Sequence, residues 1–133
     1  MANPNLQASN SIYGNTAYVT PSTTAVSVAW TYNGSTSLTG LTPAAGSVNK
    51  IDSIAVSNVS GAAATITIGV SNNATYASGT VYYLAYQIAV PVGATLIVVD
   101  KTTPLYITEN QSVGVTVGTA SALNIVASFE VVT

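Results

Sequence analysis

From Lys50 onward the chain alternates between apolar and polar positions. Ile54 and Val56 fall on one side of a first run, and Ile66, Ile68 and Val70 on one side of a second, with Thr67 and Gly69 between them. Side chains alternate faces along a strand, so each run has an apolar face and a small or polar one. Ser60-Gly61 lies between the runs and predicts a hairpin of residues 48–58 with 62–70. A third strand is predicted over 81–90. There Tyr82, Leu84, Tyr86, Ile88 and Val90 share a face expected in the core, opposite Tyr83, Ala85, Gln87 and Ala89. Pro91-Val92-Gly93 turns the chain. Residues 94–99 are apolar on both faces, which predicts burial on both sides. A short strand over 105–107 follows, then one over 111–117 with Val113, Val115 and Val117 inward. A last strand carries Leu123, Ile125, Ala127, Phe129 and Val131 on one face.

The first fifty residues are less regular. Residues 25–32 alternate, with Val26, Val28 and Trp30 together, and predict a strand that ends in a tight turn at Asn33-Gly34. Residues 35–47 read as a loop punctuated by Gly40, Pro43 and Gly46, with Leu38 and Leu41 as apolar plugs. Residues 1–24 are rich in Asn, Ser, Thr and Ala, with Leu6, Ile12, Tyr13, Tyr18 and Val19 as spaced apolar anchors. They predict an extended N-terminal arm with one short strand near 17–20, tied down on its own domain or on a neighbour. The expected organisation is therefore an arm over 1–24 and a single domain over 25–133. About eight or nine short strands without any helical period make that domain all-β, an antiparallel β-sandwich of Ig-like or jelly-roll type.

Charge sharpens this picture. Only 5% of residues are charged, against about a quarter in an average domain. They are Lys50, Asp52, Asp100, Lys101, Glu109 and Glu130, with a net charge of −2. Low charge favours association, so the chain reads as a subunit packed against neighbours, copies of itself included. Two basic residues are too few to hold nucleic acid. The apolar-rich run over 81–99 is interrupted by Gln87, Pro91, Gly93 and Thr95, and is not expected to span a membrane. The opening Met1-Ala2-Asn3-Pro4 has no basic or apolar leader pattern.

The residues offer little chemistry. The chain has no His and no Cys, which removes the common metal ligands and the usual partners of a nucleophile. Asp52 lies two residues from Lys50 and is placed to neutralise it. Asp100, Lys101 and Glu109 fall in turns, and Glu130 alternates away from Phe129. No two carboxylates can be placed as a glycosidase pair, and no Gly-rich phosphate loop occurs. The expectation is no catalytic residue, no metal or cofactor site, and no enzyme. Four Asn-x-Ser/Thr triplets, at Asn33, Asn58, Asn73 and Asn110, are ordinary in so Asn- and Ser-rich a chain. Tyr supplies eight of the ten aromatic residues. Tyr83 faces away from the expected core face and is a candidate interface anchor. With it, Leu6, Ile12, Tyr13, Tyr18, Leu38 and Leu41 are the candidate subunit contacts.

Several segments resemble a known family. They are Met1-Ala2-Asn3-Pro4-Asn5 with Ser11-Ile12-Tyr13-Gly14, and Lys50-Ile51-Asp52-Ser53-Ile54 with Val56-Ser57-Asn58-Val59-Ser60-Gly61. Further along are Leu84-Ala85, Ile88-Ala89-Val90-Pro91 and Gly93-Ala94-Thr95-Leu96. The last are Asp100-Lys101, Leu105-Tyr106-Ile107, Glu109-Asn110-Gln111-Ser112 and Ser128-Phe129-Glu130. Together they are similar to small structural proteins from the virions of tailed bacteriophages, especially contractile-tailed phages of marine cyanobacteria. The similarity covers the first fourteen or so residues and most of 48–133, and is weak over 21–47. It consists of turn and strand patterns, not catalytic signatures. It implies a β-sandwich component of the particle, assembled in the host cytoplasm, with other virion proteins as partners. The expected role is a capsid decoration or cement protein on the major capsid protein. A neck, tail or fibre component is the nearest alternative, and a carbohydrate-binding or adhesin module is the alternative from another class.

Overall fold

The computed structural model describes residues 11–32 and 36–133. It is all-β, with ten antiparallel strands in two sheets. The strands are β1 (Ile12–Val19), β2 (Ala29–Tyr32), β3 (Thr36–Thr39), β4 (Val48–Asn58), β5 (Ala64–Ser71), β6 (Val81–Val90), β7 (Thr95–Val99), β8 (Leu105–Ile107), β9 (Ser112–Val117) and β10 (Leu123–Val132). A single 3₁₀ turn, Tyr76–Ser78, precedes β6. The larger sheet runs β3-β2-β1-β10-β4, with β7 and β8 sharing the far edge of β4. It curls into a half-barrel. The smaller sheet, β6-β5-β9, shares one buried core with it.

The core lies between the sheets. Ile54 and Val56 of β4, Ile66 and Ile68 of β5, and Leu123 and Ile125 of β10 are all fully buried, as their alternation predicts. Trp30 is buried with them. A bulge adjusts β4: Ser53 pairs with Ser128 and Ile51 with Phe129, so Asp52 is the extra residue. That shift lets Ile51 and Ile54, three apart, both reach the core.

Several segments differ from their sequence patterns. Residues 48–58 and 62–70 are strands, but they do not pair as a hairpin: β4 belongs to the larger sheet and β5 to the smaller. The Ser60-Gly61 turn carries the chain across the sandwich. The Pro91-Val92-Gly93 turn does the same, taking the chain from β6 to β7. The run over 81–99 is thereby divided between two sheets. Leu96 and Val98 pack against the core, and Ile97 on the other face of β7 is exposed, so this strand is not buried on both sides. Alternation over 25–32 yields a strand only from Ala29. Before it, Ser27 makes an isolated bridge to Val115. Within the stretch read as a loop, Thr36–Thr39 form β3 against β2. The Asn33-Gly34 turn lies outside the described residues.

Of the stretch read as an arm, residues 1–10 lie outside the described residues, Leu6 among them. Residues Ile12–Val19 form β1, which is longer than the short strand expected near 17–20. It pairs with β10 along its whole length and with β2 at Ala17 and Tyr18.

Candidate assembly interface

The four carboxylates are distributed over three places. Lys50 and Glu130 are directly paired across β4 and β10. The Lys50 ammonium lies 3.5 Å from both Asp52 and Glu130. The charge of Asp52, then that of Glu130, holds the Lys50 ammonium above its ordinary pKa. Asp100 accepts hydrogen bonds from the Thr102 hydroxyl (2.5 Å) and amide (2.8 Å) in its turn. These bonds lower its pKa, because they favour the charged form. Glu109 accepts from the Gly46 amide at 3.2 Å and steadies the loop before β4. Each acid thus closes a turn or an ion pair.

The buried polar groups are structural as well. Asn49 donates to the Leu41 carbonyl at 2.8 Å. Asn58 is the hub of the crossing between sheets. Its amide nitrogen donates to the carbonyls of Ala62 and Val90, both at 2.8 Å. Its oxygen accepts from the Ser60 amide and hydroxyl. The side chain of this Asn-x-Ser triplet is committed inside the protein.

The large apolar side chains that remain exposed define the surface. They concentrate on β6, where Tyr82 is 64%, Tyr83 55% and Tyr86 57% exposed, with Leu84 and Ile88 also open. The sequence pattern places Tyr82 and Tyr86 in the core, and the structure corrects this. Two register shifts against β5 insert extra residues into β6, at Leu84 and at Tyr86–Gln87. Gln87 adopts a left-handed φ of 49°, and its amide donates to the Thr67 hydroxyl at 2.9 Å. The bulges break the two-residue period, so only Ala85 and Val90 of this strand are buried. Tyr83 and Tyr86 meet edge to face, with ring centroids 4.9 Å apart. Tyrosines on both faces of one strand, with no charged residue nearby, were the available signal. The bulges that expose them had none.

The other candidate contacts divide into two groups. Ile12, Tyr13 and Tyr18 of β1 are exposed. Leu38 is half-buried against the core, and Leu41 is fully buried in it, leaving no surface for a partner. Leu41 has a φ of 54° and follows Gly40, whose own φ is 64°. A side chain at Gly40 would also come within 2.6 Å of the Ser112 Cβ, so only glycine fits there.

Two grooves flank β1. One, of about 440 Å³, is lined by Tyr13, Asn15, Tyr32, Leu38, Asn49 and neighbours. The other, of about 570 Å³, runs past Tyr18, Pro21, Val26 and Val28. Neither carries a charged residue. No family model, curated protein or solved structure matches this chain.

Proposed function

We propose that this protein is a non-enzymatic structural subunit of a bacteriophage virion, a decoration or cement protein seated on the capsid lattice. The observation that carries the subunit reading is the exposed, tyrosine-rich and uncharged strand β6 on a surface with so few charges. Monomers rarely leave such a strand open, whereas subunits use one as a contact. The virion setting comes from the similarity of the turn and strand segments to small phage structural proteins. Ile12 and Tyr18 on one face of β1, with Tyr13 on the other, are further exposed apolar side chains for the capsid protein. A protein that binds only the assembled lattice stabilises it by mass action.

Particles purified with and without the protein provide the test. The protein should be present in many copies, its density should lie on the head surface, and its removal should lower the temperature at which heads rupture. Density at the neck, tail or fibre would replace the decoration role with a different virion role. Absence from purified particles would remove the virion reading.

A carbohydrate-binding module is the second reading. The neutral groove between Tyr13 and Tyr32 favours it, since aromatic faces and amides suit a sugar ring. Trp30 contributes nothing to it, being fully buried. Glycan-array binding lost on Tyr13→Ala would support this reading, and a blank array would remove it.

A further inference from the structure

We infer that β6 is the seam at which two copies of this chain pair, antiparallel, about a twofold axis. This deepens the subunit reading by naming the partner at that edge, and it is tested on the isolated chain.

The strand edges differ in how they are protected. In the larger sheet, β3 has four residues, β7 five and β8 three. Short edge strands offer little template for pairing. In the smaller sheet, the free side of β9 is already occupied. Ser27 exchanges backbone bonds with Val115 at 2.8 and 3.0 Å, and the Val113 amide donates to the Gly40 carbonyl at 2.7 Å. Strand β6 has ten residues, and among the described residues β5 is its only neighbour in the sheet. It contains no proline and no charge, two of the devices that keep edges apart. Its bulges leave regular register at Val81–Tyr83 and Ile88–Val90, which confines a new ladder to one of these short runs. The tyrosines supply the remaining contact.

Area and charge point to a second copy. The exposed parts of Tyr82, Tyr83, Leu84, Tyr86 and Ile88 amount to roughly 500 Å², against about 800 Å² per partner in a stable interface. Coverage of the flanking turns would supply the remainder. No charged residue occurs between Asp52 and Asp100 in the sequence, so β6 and both of its flanking turns are neutral. Two copies therefore meet there without like-charge repulsion. A twofold axis places a strand antiparallel to itself, so the donors and acceptors of one copy face those of the other. A charge on this strand would keep copies apart, and β6 carries none, so its bulges are the edge protection it has.

Sedimentation equilibrium from micromolar to the highest soluble concentration tests the seam on wild type, Tyr82→Lys and Tyr86→Lys. Both tyrosines are exposed, so the variants should keep the wild-type circular dichroism. The wild type should dimerise, and each charge should weaken the dimer by about tenfold or more. Tyr13→Lys, on β1, should leave the equilibrium unchanged. Amide exchange in β6 of the wild type should slow as concentration rises, which checks the seam without any substitution. A wild type that stays monomeric, or a dimer indifferent to both lysines, overturns the inference. A chain that is monomeric alone yet present in particles overturns the seam and leaves the subunit reading intact. A chain that pairs through β6 but is absent from particles does the reverse.

Discussion

The side-chain amide of Asn58 donates to the carbonyl of Val90 at 2.8 Å, which ties the end of β4 in one sheet to the end of β6 in the other. The Asn58 backbone amide also donates to the Ala94 carbonyl at 3.0 Å. One residue thus joins the two turns that carry the chain across the sandwich. Asn58→Ala removes the partner of several buried or half-buried backbone groups at once. It should destabilise the fold by about 3 kcal/mol and lower Tm by roughly 10 °C. Thermal and urea unfolding would measure this. A loss under about 0.5 kcal/mol would show that the crossing holds without its hub.

The all-β class was legible because the alternation is strong: Ile66, Ile68, Leu123 and Ile125 are buried as their spacing predicts. Which strands pair was less legible. A Ser-Gly turn after Asn58 looks the same whether the chain returns beside β4 or crosses to the other sheet. The crossing is secured by Val90 and Ala94, which come from a different turn. The exposure of β6 was hidden for another reason. Even-numbered spacing of Tyr82, Tyr86 and Ile88 implies one face only while the register is unbroken, and the bulges at Leu84 and Tyr86–Gln87 break it. Of the candidate contacts, Ile12, Tyr13, Tyr18 and Tyr83 are exposed. Leu41 is in the core, because an apolar residue in a loop can plug an interior as well as bind a partner.

The face assignments can be separated by one pair of substitutions. Ile68 is fully buried on the central strand of the smaller sheet. Ile68→Asp puts an unpaired carboxylate there and should cost about 4 kcal/mol or more, leaving no cooperative transition. Tyr82→Lys, on the neighbouring strand, should change monomer stability by less than about 1 kcal/mol. Comparable losses from the two would return Tyr82 to the core and contradict the exposed strand. A well-folded Ile68→Asp protein would overturn the inward assignment of β5.

Tyr76 lies over the outer face of the smaller sheet, above two glycines. A Cβ at Gly114 would come within 2.7 Å of its ring, and one at Gly69 within 2.5 Å of its hydroxyl. Gly114→Ala should therefore lift the ring and cost about 1–3 kcal/mol. In a Tyr76→Ala background the same change should cost much less, because the obstacle is gone. Burial raises the Tyr76 phenol above its ordinary pKa of 10.0, with the nearby Tyr83 adding to the effect. Displacing the ring should return its titration toward that value, as followed by phenolate absorbance. Additive costs in the double mutant would show that the ring and the glycine are not coupled.

Lys50 makes a prediction about alkaline pH. Its folded-state pKa is raised above 10.5, first by Asp52 and then by Glu130. The folded state therefore holds this proton more tightly than the unfolded state. The resulting stabilisation is complete below pH 10.5 and is lost as pH rises through the folded-state value. Tyr76, also raised, contributes in the same sense above pH 10.0, so wild-type stability alone does not isolate the lysine. The informative quantity is the difference in Tm between wild type and Lys50→Met. It should be constant through neutral and mildly alkaline pH, then shift in favour of Lys50→Met above 10.5. Moderate salt should shrink the change, because the lysine side chain is still partly open to solvent. Tyr76→Phe should keep this lysine-dependent step while losing its own. A difference that stays flat through the alkaline range would mean that the two acids beside Lys50 do not hold its proton in the folded protein.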